Sequence, residues 1–434
     1  MAGERAVPRL ERNDVLFLGA FALLKFVVNA GTTTGYGYFR DELYYLDCAN
    51  HLAWGYVDHP PLSIAILAAF RAVFGESLFA VHLPAILAGC ATVVLAGLIA
   101  RQMGGGRFAQ AVACLCVIIA PVFLVMGTFF SMNPIDQFFW ALATYVLVRL
   151  IVTDNPQLWL WFGVVAGFGL LNKISVLFLG FSVVVAMALT PHRKYFLDKH
   201  LWLGCVIALA IFVPHLIWQV LNGWPTIEFT RNAALGKNLA EGPLSFFLQQ
   251  FLMTNPITVP LWLGGLYFGL FHPQGKRFRW LALAFVIVFL LLSLSYGKGY
   301  YLAPAFPVVF ALGGVGFEHL TVRRRAPRVI YASLLATFGA LFAPYVLPVL
   351  PIDTFLRFQS AIGITTPRQE VGHTGAIPQH FGDRFGWPEM VALVAKAYQE
   401  LPAVDRQRCG ILTSNYGEAG AINFFGREHG LPRA

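Results

Sequence analysis

Long apolar stretches separated by short polar segments dominate the chain up to residue 350. A helix needs about 20 apolar residues to cross a bilayer, because lipid offers the backbone no other hydrogen-bond partners. Eleven stretches approach this length: 14–31, 78–100, 108–128, 136–153, 158–171, 174–190, 201–221, 256–271, 280–296, 302–319 and 329–350. The pattern predicts an all-α polytopic membrane bundle of about 11 transmembrane helices over residues 1–350.

Two segments depart from this pattern. Residues 32–77 form the longest polar interruption between the early spans, and residues 351–434 are richer in charge than the rest of the chain. The second segment predicts a helix over 387–400, a short strand at 409–413 and a helix over 418–425, which together make a small C-terminal α/β domain. It is short for such a domain, which leaves open that the sequence is truncated.

Composition and charge narrow the class of protein. With 57% hydrophobic and 12% charged residues, the chain is neither a soluble globular enzyme nor disordered. Its 31 Lys and Arg against 22 Asp and Glu could indicate nucleic acid, but the basic residues gather in alternate connecting segments. That distribution is the positive-inside pattern. It predicts a multi-pass protein of the inner (plasma) membrane with a cytoplasmic N-terminus, an extracytoplasmic 351–434 and no nucleic-acid partner.

The first outer segment carries two adjacent carboxylates. Read as a helix from Asp41 to Leu52, it has an apolar side that includes Tyr44 and Tyr45, as expected of a helix lying in the membrane interface. Asp41 and Glu42 stand at the start of this helix, where the helix dipole favours anions. They could serve as a general base and its orienting partner, although such a pair alone is more often a helix cap.

Other polar residues fall at the outer ends of later spans. Asn133 and Asp136 begin the fourth span, Lys173 follows the fifth, and Lys298 follows the ninth, beside Tyr300. Cations at membrane boundaries often have no function beyond reaching the interface. Isolated lysines bracketed by Gly, Pro, Tyr and Asn nevertheless suit an anionic group such as phosphate. No glycine-rich nucleotide-binding loop accompanies them.

Three motifs resemble those of bacterial family 39 glycosyltransferases, relatives of the protein O-mannosyltransferases and the lipid A aminoarabinose transferases. They are residues 38–45 (YFRDELYY), 51–62 (HLAWGYVDHPPL) and 169–173 (GLLNK), and residues 416–421 (YGEAGA) add a fourth match near the end. The resemblance runs through most of the membrane region. Together the motifs are specific for the superfamily and not for a substrate.

The resemblance implies a GT-C fold whose first outer loop forms interfacial helices and supplies an acidic catalytic residue. By this analogy Asp41 is the general base and Glu42 lies beside it. The donor is a polyprenyl-phosphate-linked sugar, attacked with inversion by a lipid, glycan or protein hydroxyl. The donor phosphate is expected to contact His59, Lys173, Lys298 and Tyr301. The substrate pocket is expected to include Arg40, Tyr44, Tyr45, Asn133, Asp136 and Tyr300.

Two positions depart from the aminoarabinose transferases. This chain has Asn133-Pro134 where they have Asp-Pro, so Asp136, one helical turn further, would have to supply the ionised group. The position before Pro60 is His59 in place of lysine, and histidine is cationic only when protonated.

Other functions remain open on the sequence. A secondary transporter of a small solute is the main alternative, although such proteins bind substrate near the bilayer midplane between internal repeats, which this chain does not show. A non-catalytic membrane scaffold is a third. No cofactor is expected: Asp41 and Asp136 could hold a divalent cation, but no metal-ligand spacing supports one.

Overall fold

A computed structural model describes residues 11–236, 242–364 and 375–434, and helices account for all their regular secondary structure. The α-helices are α1 (Arg12–Ala30), α2 (Arg40–Cys48), α3 (Leu62–Phe74), α4 (Leu78–Gln102), α5 (Arg107–Ile119), α6 (Pro121–Val125), α7 (Met132–Thr153), α8 (Leu158–Asn172), α9 (Val176–Ala188), α10 (Lys199–Leu221), α11 (Pro225–Gly236), α12 (Pro243–Met253), α13 (Val259–Phe271), α14 (Arg279–Leu294), α15 (Phe306–Leu320), α16 (Arg325–Val346), α17 (Ile352–Ala361), α18 (Gln379–Gly382), α19 (Trp387–Gln399), α20 (Ala403–Arg406) and α21 (Tyr416–Phe425). Short 3-10 helices cover Pro191–Leu197, Pro256–Thr258, Lys276–Phe278, Gly299–Ala305 and Gly426–His429. Residues 1–10, which contain part of the N-terminal basic segment used for orientation, lie outside the described residues.

Each of the eleven apolar stretches contains helix, but the predicted number of spans is not confirmed. In the described part of the chain, seven helical segments are long and apolar enough to cross a membrane. An eighth would be α9 together with the 3-10 helix after it, which are bent by 112°. The predicted spans near α5, α8 and α13 contain shorter apolar helices. Hydropathy counts apolar residues and does not detect the breaks between helices. The chain is a multi-pass membrane protein.

The third predicted span is divided between α5 and α6. Pro121 is the first residue of α6. Proline lacks a backbone N–H, so a continuous helix is interrupted at this position. Side chains of α1 bind carbonyl groups of α6: Lys25 Nζ donates to Phe123 O at 2.7 Å, and Asn29 Nδ2 donates to Leu124 O at 3.0 Å. Buried carbonyl groups need partners, so α1 stabilises the broken segment.

The first outer segment is buried on two sides. The helix predicted over Asp41–Leu52 is confirmed as α2, but it ends at Cys48. Tyr45 and Leu46 pack with α3 and α4, while Leu43 packs with α19 and α21 of the C-terminal segment. The apolar side that the sequence predicts is buried, and the opposite side is buried as well because α21 covers it.

The C-terminal segment is helical and not α/β within its described residues. The two predicted helices are confirmed as α19 and α21. The strand predicted at 409–413 does not form, and Leu412 in its middle is 98% exposed. A single short strand has unpaired backbone groups unless another strand lies beside it. No strand exists in residues 375–434 to pair with it.

Glycine permits close contact between α8 and α10. A Cβ on Gly204 would collide with the backbone carbonyl of Trp159, and one on Gly163 would collide with Gly204 itself. Small residues of this kind let helix backbones approach closely in membrane proteins. By contrast, a Cβ on Gly180 of α9 would meet nothing within 4 Å.

We expect Gly204→Ala to lower the free energy of unfolding by about 1–3 kcal/mol, because the added methyl must separate the two backbones. Thermal unfolding in detergent measures the effect. Gly180→Ala is the matched control and should leave the midpoint unchanged or slightly raised. Equal midpoints for the two variants would contradict the close contact.

Candidate active site

A cavity of about 220 Å³ lies where the first outer segment, several helix ends and the C-terminal segment meet. Its polar lining includes five predicted site residues: Arg40, Asp41, Asn133, Lys298 and Tyr300. The predicted base and one predicted phosphate-binding lysine thus line the same cavity, although 257 positions separate them in the sequence. The fold thus brings together residues that lie far apart in the sequence.

Asp41 is held at the cavity through one carboxylate oxygen. Tyr416 Oη donates a hydrogen bond to Asp41 Oδ1 at 2.9 Å, and Arg40 Nε lies 3.4 Å from the same oxygen. The Arg40 guanidinium also lies 3.2 Å from Asp383, and its centre is 5.4 Å from the Tyr416 ring. The Asp41 side chain is 31% exposed. Its other oxygen, Oδ2, is the one with room to accept a proton.

Glu42 is fully buried and does not line the cavity. Its Oε2 accepts a hydrogen bond from Phe39 N at 2.7 Å, and its Oε1 accepts one from Phe130 N at 2.6 Å. His82 Nε2 of α4 lies 2.8 Å from Oε1. The carboxylate therefore ties the start of α2 to α4 and to the loop before α7. Glu42 therefore fixes the start of the helix that carries Asp41.

Lys173 is held between the two polar residues that begin α7. Its Nζ donates to Asn133 Oδ1 at 2.7 Å and lies 3.8 Å from Asp136 Oδ2. Asp136 is almost fully buried and accepts a hydrogen bond from Ser175 Oγ at 2.6 Å. Asn133 lines the cavity, whereas Asp136 and Lys173 lie behind that wall. Asp136 is thus the carboxyl group that lies beside Lys173, and its role as the ionised group in place of Asn133 stays a prediction.

Lys298 precedes the short 3-10 helix Gly299–Ala305, whose two tyrosines lie near Lys173. The Lys173 ammonium is 5.9 Å from the Tyr300 ring and 4.9 Å from the Tyr301 ring, within the range of cation–π attraction. The two rings are 4.8 Å apart. Lys298 and Tyr300 line the cavity and Tyr301 does not.

His59 lies in an aromatic cluster and not on the cavity wall. It is fully buried, with its ring 5.9, 4.9 and 5.0 Å from the rings of Tyr44, Tyr45 and Tyr56. Its Nε2 is 3.7 Å from Asp58 Oδ1, and Tyr44 Oη donates to that same oxygen at 2.9 Å. Burial and the nearby Asp58 carboxylate raise the pKa of Tyr44. None of the predicted residues Tyr44, Tyr45 and His59 is among those that line the cavity.

The C-terminal segment contributes a wall of the cavity that the sequence analysis missed. Gln379 and His380 of α18 line it. Burial, with the nearby charge of Arg384, lowers the pKa of His380 to about 3, so this histidine is neutral at ordinary pH. In the sequence, the motif at residues 416–421, where α21 begins, was the one signal that the C-terminal segment contributes to the site.

Arg384 fixes this wall to the bundle. Its guanidinium donates to Thr128 O at 3.0 Å and to Thr128 Oγ1 at 2.7 Å, and Nε donates to His380 O at 2.8 Å. Burial lowers the pKa of Arg384 to about 10, which still leaves it cationic at neutral pH. The loop between α6 and α7 is therefore held by Arg384 at Thr128 and by Glu42 at Phe130.

The remaining wall of the cavity is apolar. Its apolar residues come mainly from α6, the loop that follows it, α12 and the end of α16, and they comprise Phe39, Pro121, Val122, Val125, Met126, Phe129, Leu252, Met253, Tyr345, Val346 and Pro378, with Gln249 of α12 as a polar member. A cavity lined by a carboxylate, a lysine and many apolar side chains suits an amphipathic substrate with an anionic head. Among residues 11–236, 242–364 and 375–434, no group of three or more His, Cys, Asp or Glu side chains could hold a metal ion. The expectation of no cofactor stays a prediction.

Comparisons with known proteins agree with this architecture. The family model described as dolichyl-phosphate-mannose-protein mannosyltransferase matches residues 58–218. The lipid A galacturonosyltransferase RgtD of Rhizobium johnstonii is 25% identical over 297 residues, 67% of this chain and 62% of that protein. The lipopolysaccharide core galacturonosyltransferase RgtB of the same organism is 26% identical over 242 residues, 55% of this chain and 48% of that protein. The chain thus matches less than two thirds of the length of either relative.

Solved structures share the fold. The crystal structure of ArnT from Cupriavidus metallidurans bound to undecaprenyl phosphate superposes with a TM-score of 0.66 at 15% identity, covering 94% of this chain and 85% of that one. The apo structure of the same protein gives a TM-score of 0.60 at 18% identity, covering 96% and 77%. The GT-C fold that the motifs implied is confirmed by these structures, and the chain is similar in sequence to the galacturonosyltransferases RgtD and RgtB.

Proposed function

We propose that the chain is a membrane glycosyltransferase that moves a sugar from a polyprenyl-phosphate donor to an acceptor hydroxyl, with inversion and with Asp41 as general base. The observation that carries this proposal is the shared cavity of Asp41 and Lys298, with apolar side chains on its other wall. A base and a cation at one polar centre are what transfer from a lipid phosphate requires.

The proposed reaction is a single displacement at the anomeric carbon. The acceptor oxygen attacks that carbon while its proton passes to Asp41 Oδ2. The bond between the anomeric carbon and the phosphate oxygen breaks, and its electron pair leaves with polyprenyl phosphate. Lys298 stabilises the negative charge that develops on the departing phosphate. The positive charge of Lys173, which is hydrogen-bonded to Asn133, adds to this stabilisation. Attack opposite the leaving group inverts the configuration.

The relatives support a choice of substrates to test, and the charge pattern supports a location and an orientation in the membrane. RgtD and RgtB are named for galacturonosyl transfer to lipid A and to the lipopolysaccharide core. A galacturonosyl donor with a lipid-linked glycan acceptor is therefore the first pair to test, and other lipid, glycan or protein hydroxyls follow. The distribution of basic residues supports the inner membrane, with the N-terminus in the cytoplasm and residues 351–434 outside.

Asp41→Asn should lower turnover by about 100-fold or more, because the amide cannot accept the proton of the acceptor hydroxyl. The measurement is product formation by purified protein in nanodiscs, followed by mass spectrometry. Asp353→Asn, at an exposed position of α17, is the matched control and should keep wild-type turnover. Near-normal turnover in Asp41→Asn would remove Asp41 from its role, and solute flux that persists in this variant would favour a transporter.

Lys298→Met should raise the KM for the donor by about tenfold, because the donor phosphate loses a charged partner worth about 1.5–3 kcal/mol. The side chain keeps its length and apolar stem, so packing changes little. Lys396→Met, at an exposed position of α19, is the control. A donor KM unchanged from wild type would argue against phosphate binding by Lys298.

Glu42→Gln should lower the free energy of unfolding by about 3 kcal/mol, because it breaks a buried arrangement of charged and polar groups. Thermal unfolding in detergent gives the measurement, and Glu389→Gln at an exposed position of α19 is the control. If Glu42→Gln kept wild-type stability yet lost turnover as Asp41→Asn does, Glu42 would act in the chemistry itself.

A further inference from the structure

The C-terminal segment reaches the predicted base directly. Tyr416, the first residue of α21, donates its phenolic hydrogen to Asp41 Oδ1 at 2.9 Å across 375 positions of sequence. Asp41 also lies beside Arg40, and that contact involves Oδ1 as well. Both contacts therefore engage one oxygen of the carboxylate, Oδ1, and neither involves Oδ2.

Tyr416 is fixed in place by the way α21 packs on α2. The Asn415 side chain caps α21 by accepting hydrogen bonds from Gly417 N at 3.0 Å and from the next backbone N–H at 3.1 Å. A Cβ on Gly417 would collide with the Arg40 side chain, and one on Gly420 would press on the backbone of Leu43. Glycine at these two positions lets α21 approach α2 closely enough for the hydroxyl to reach Asp41.

A fixed donor on one oxygen constrains a general base. It fixes the rotation of the carboxylate, so Oδ2 presents a constant direction to an acceptor hydroxyl. A phenolic hydrogen bond to a carboxylate is charge-assisted, and such bonds are shorter and stronger than bonds between neutral groups.

We propose that Tyr416 is a positioning residue for the Asp41 base, so that the C-terminal segment is a working part of the active centre. The inference rests on the proposed function and extends it, because it assigns a role in transfer to a residue outside the membrane bundle. Tyr416 acts through Asp41 and does not itself contact the reacting atoms.

The test compares two phenylalanine substitutions within the C-terminal segment. Tyr416→Phe should lower kcat by about tenfold with an unchanged donor KM, since one hydrogen bond to a charged group is lost. Tyr398→Phe is the matched control: its hydroxyl donates to a backbone carbonyl, that of Arg406, at 2.9 Å, and it should behave as wild type.

A double mutant separates positioning from a structural role. In the Asp41→Asn background, Tyr416→Phe should cause no further loss of kcat, because the group that it positions is already disabled. A further tenfold loss in that background, or wild-type kcat in the single variant, would overturn the inference. Replacement of Tyr416 by 3-fluorotyrosine keeps the ring and the hydroxyl, so it should retain kcat within about threefold of wild type if the hydrogen bond is what matters.

The outcomes also separate this inference from the proposed function. If the wild-type protein transfers sugar, Asp41→Asn does not, and Tyr416→Phe matches Tyr398→Phe in kcat, only the role of Tyr416 fails. If Asp41→Asn retains wild-type transfer, the proposed base fails and the role of Tyr416 fails with it.

Discussion

The buried carboxylate of Glu42 is the contact on which the geometry of the site depends. It accepts hydrogen bonds from backbone N–H groups of two separate segments and faces His82 of a third, so it fixes the start of α2 relative to the bundle. Successive side chains on a helix point about 100° apart. With Glu42 directed into the protein, its neighbour Asp41 is directed to the cavity. Glu42 thus holds the structure in place, and the adjacent Asp41 is available as the proposed base.

The two kinds of wall around the cavity explain why the site lies at the end of a helical bundle. Lys298 and Asp41 provide charge, whereas Val122, Val125 and Leu252 provide apolar surface from helices of the bundle. A water-soluble donor would gain nothing from the second wall. A donor with a lipid tail can keep its hydrocarbon among apolar side chains while its phosphate meets a lysine, so little apolar surface need be exposed to water during transfer.

Much of this arrangement follows from the sequence, because hydropathy and local motifs are short-range signals. The apolar stretches, α2 and the cations after α8 and α14 were predicted in this way. The break at Pro121 was missed because hydropathy does not register a lost backbone hydrogen bond. The strand at 409–413 was wrong because an apolar run does not show whether a partner strand exists. The fixed geometry of Glu42 and Tyr416 depends on contacts across dozens to hundreds of positions, which no local pattern encodes.

Because Tyr416 and Asp41 lie 375 positions apart in the chain, their contact can form only late in synthesis. During synthesis, α2 leaves the ribosome hundreds of residues before α21, so the base exists for most of that time without its phenolic partner. Loops that join distant segments close only after the intervening chain is present. A nascent chain without α21 therefore lacks Tyr416, and any sugar transfer that depends on this contact requires that α21 has been synthesised.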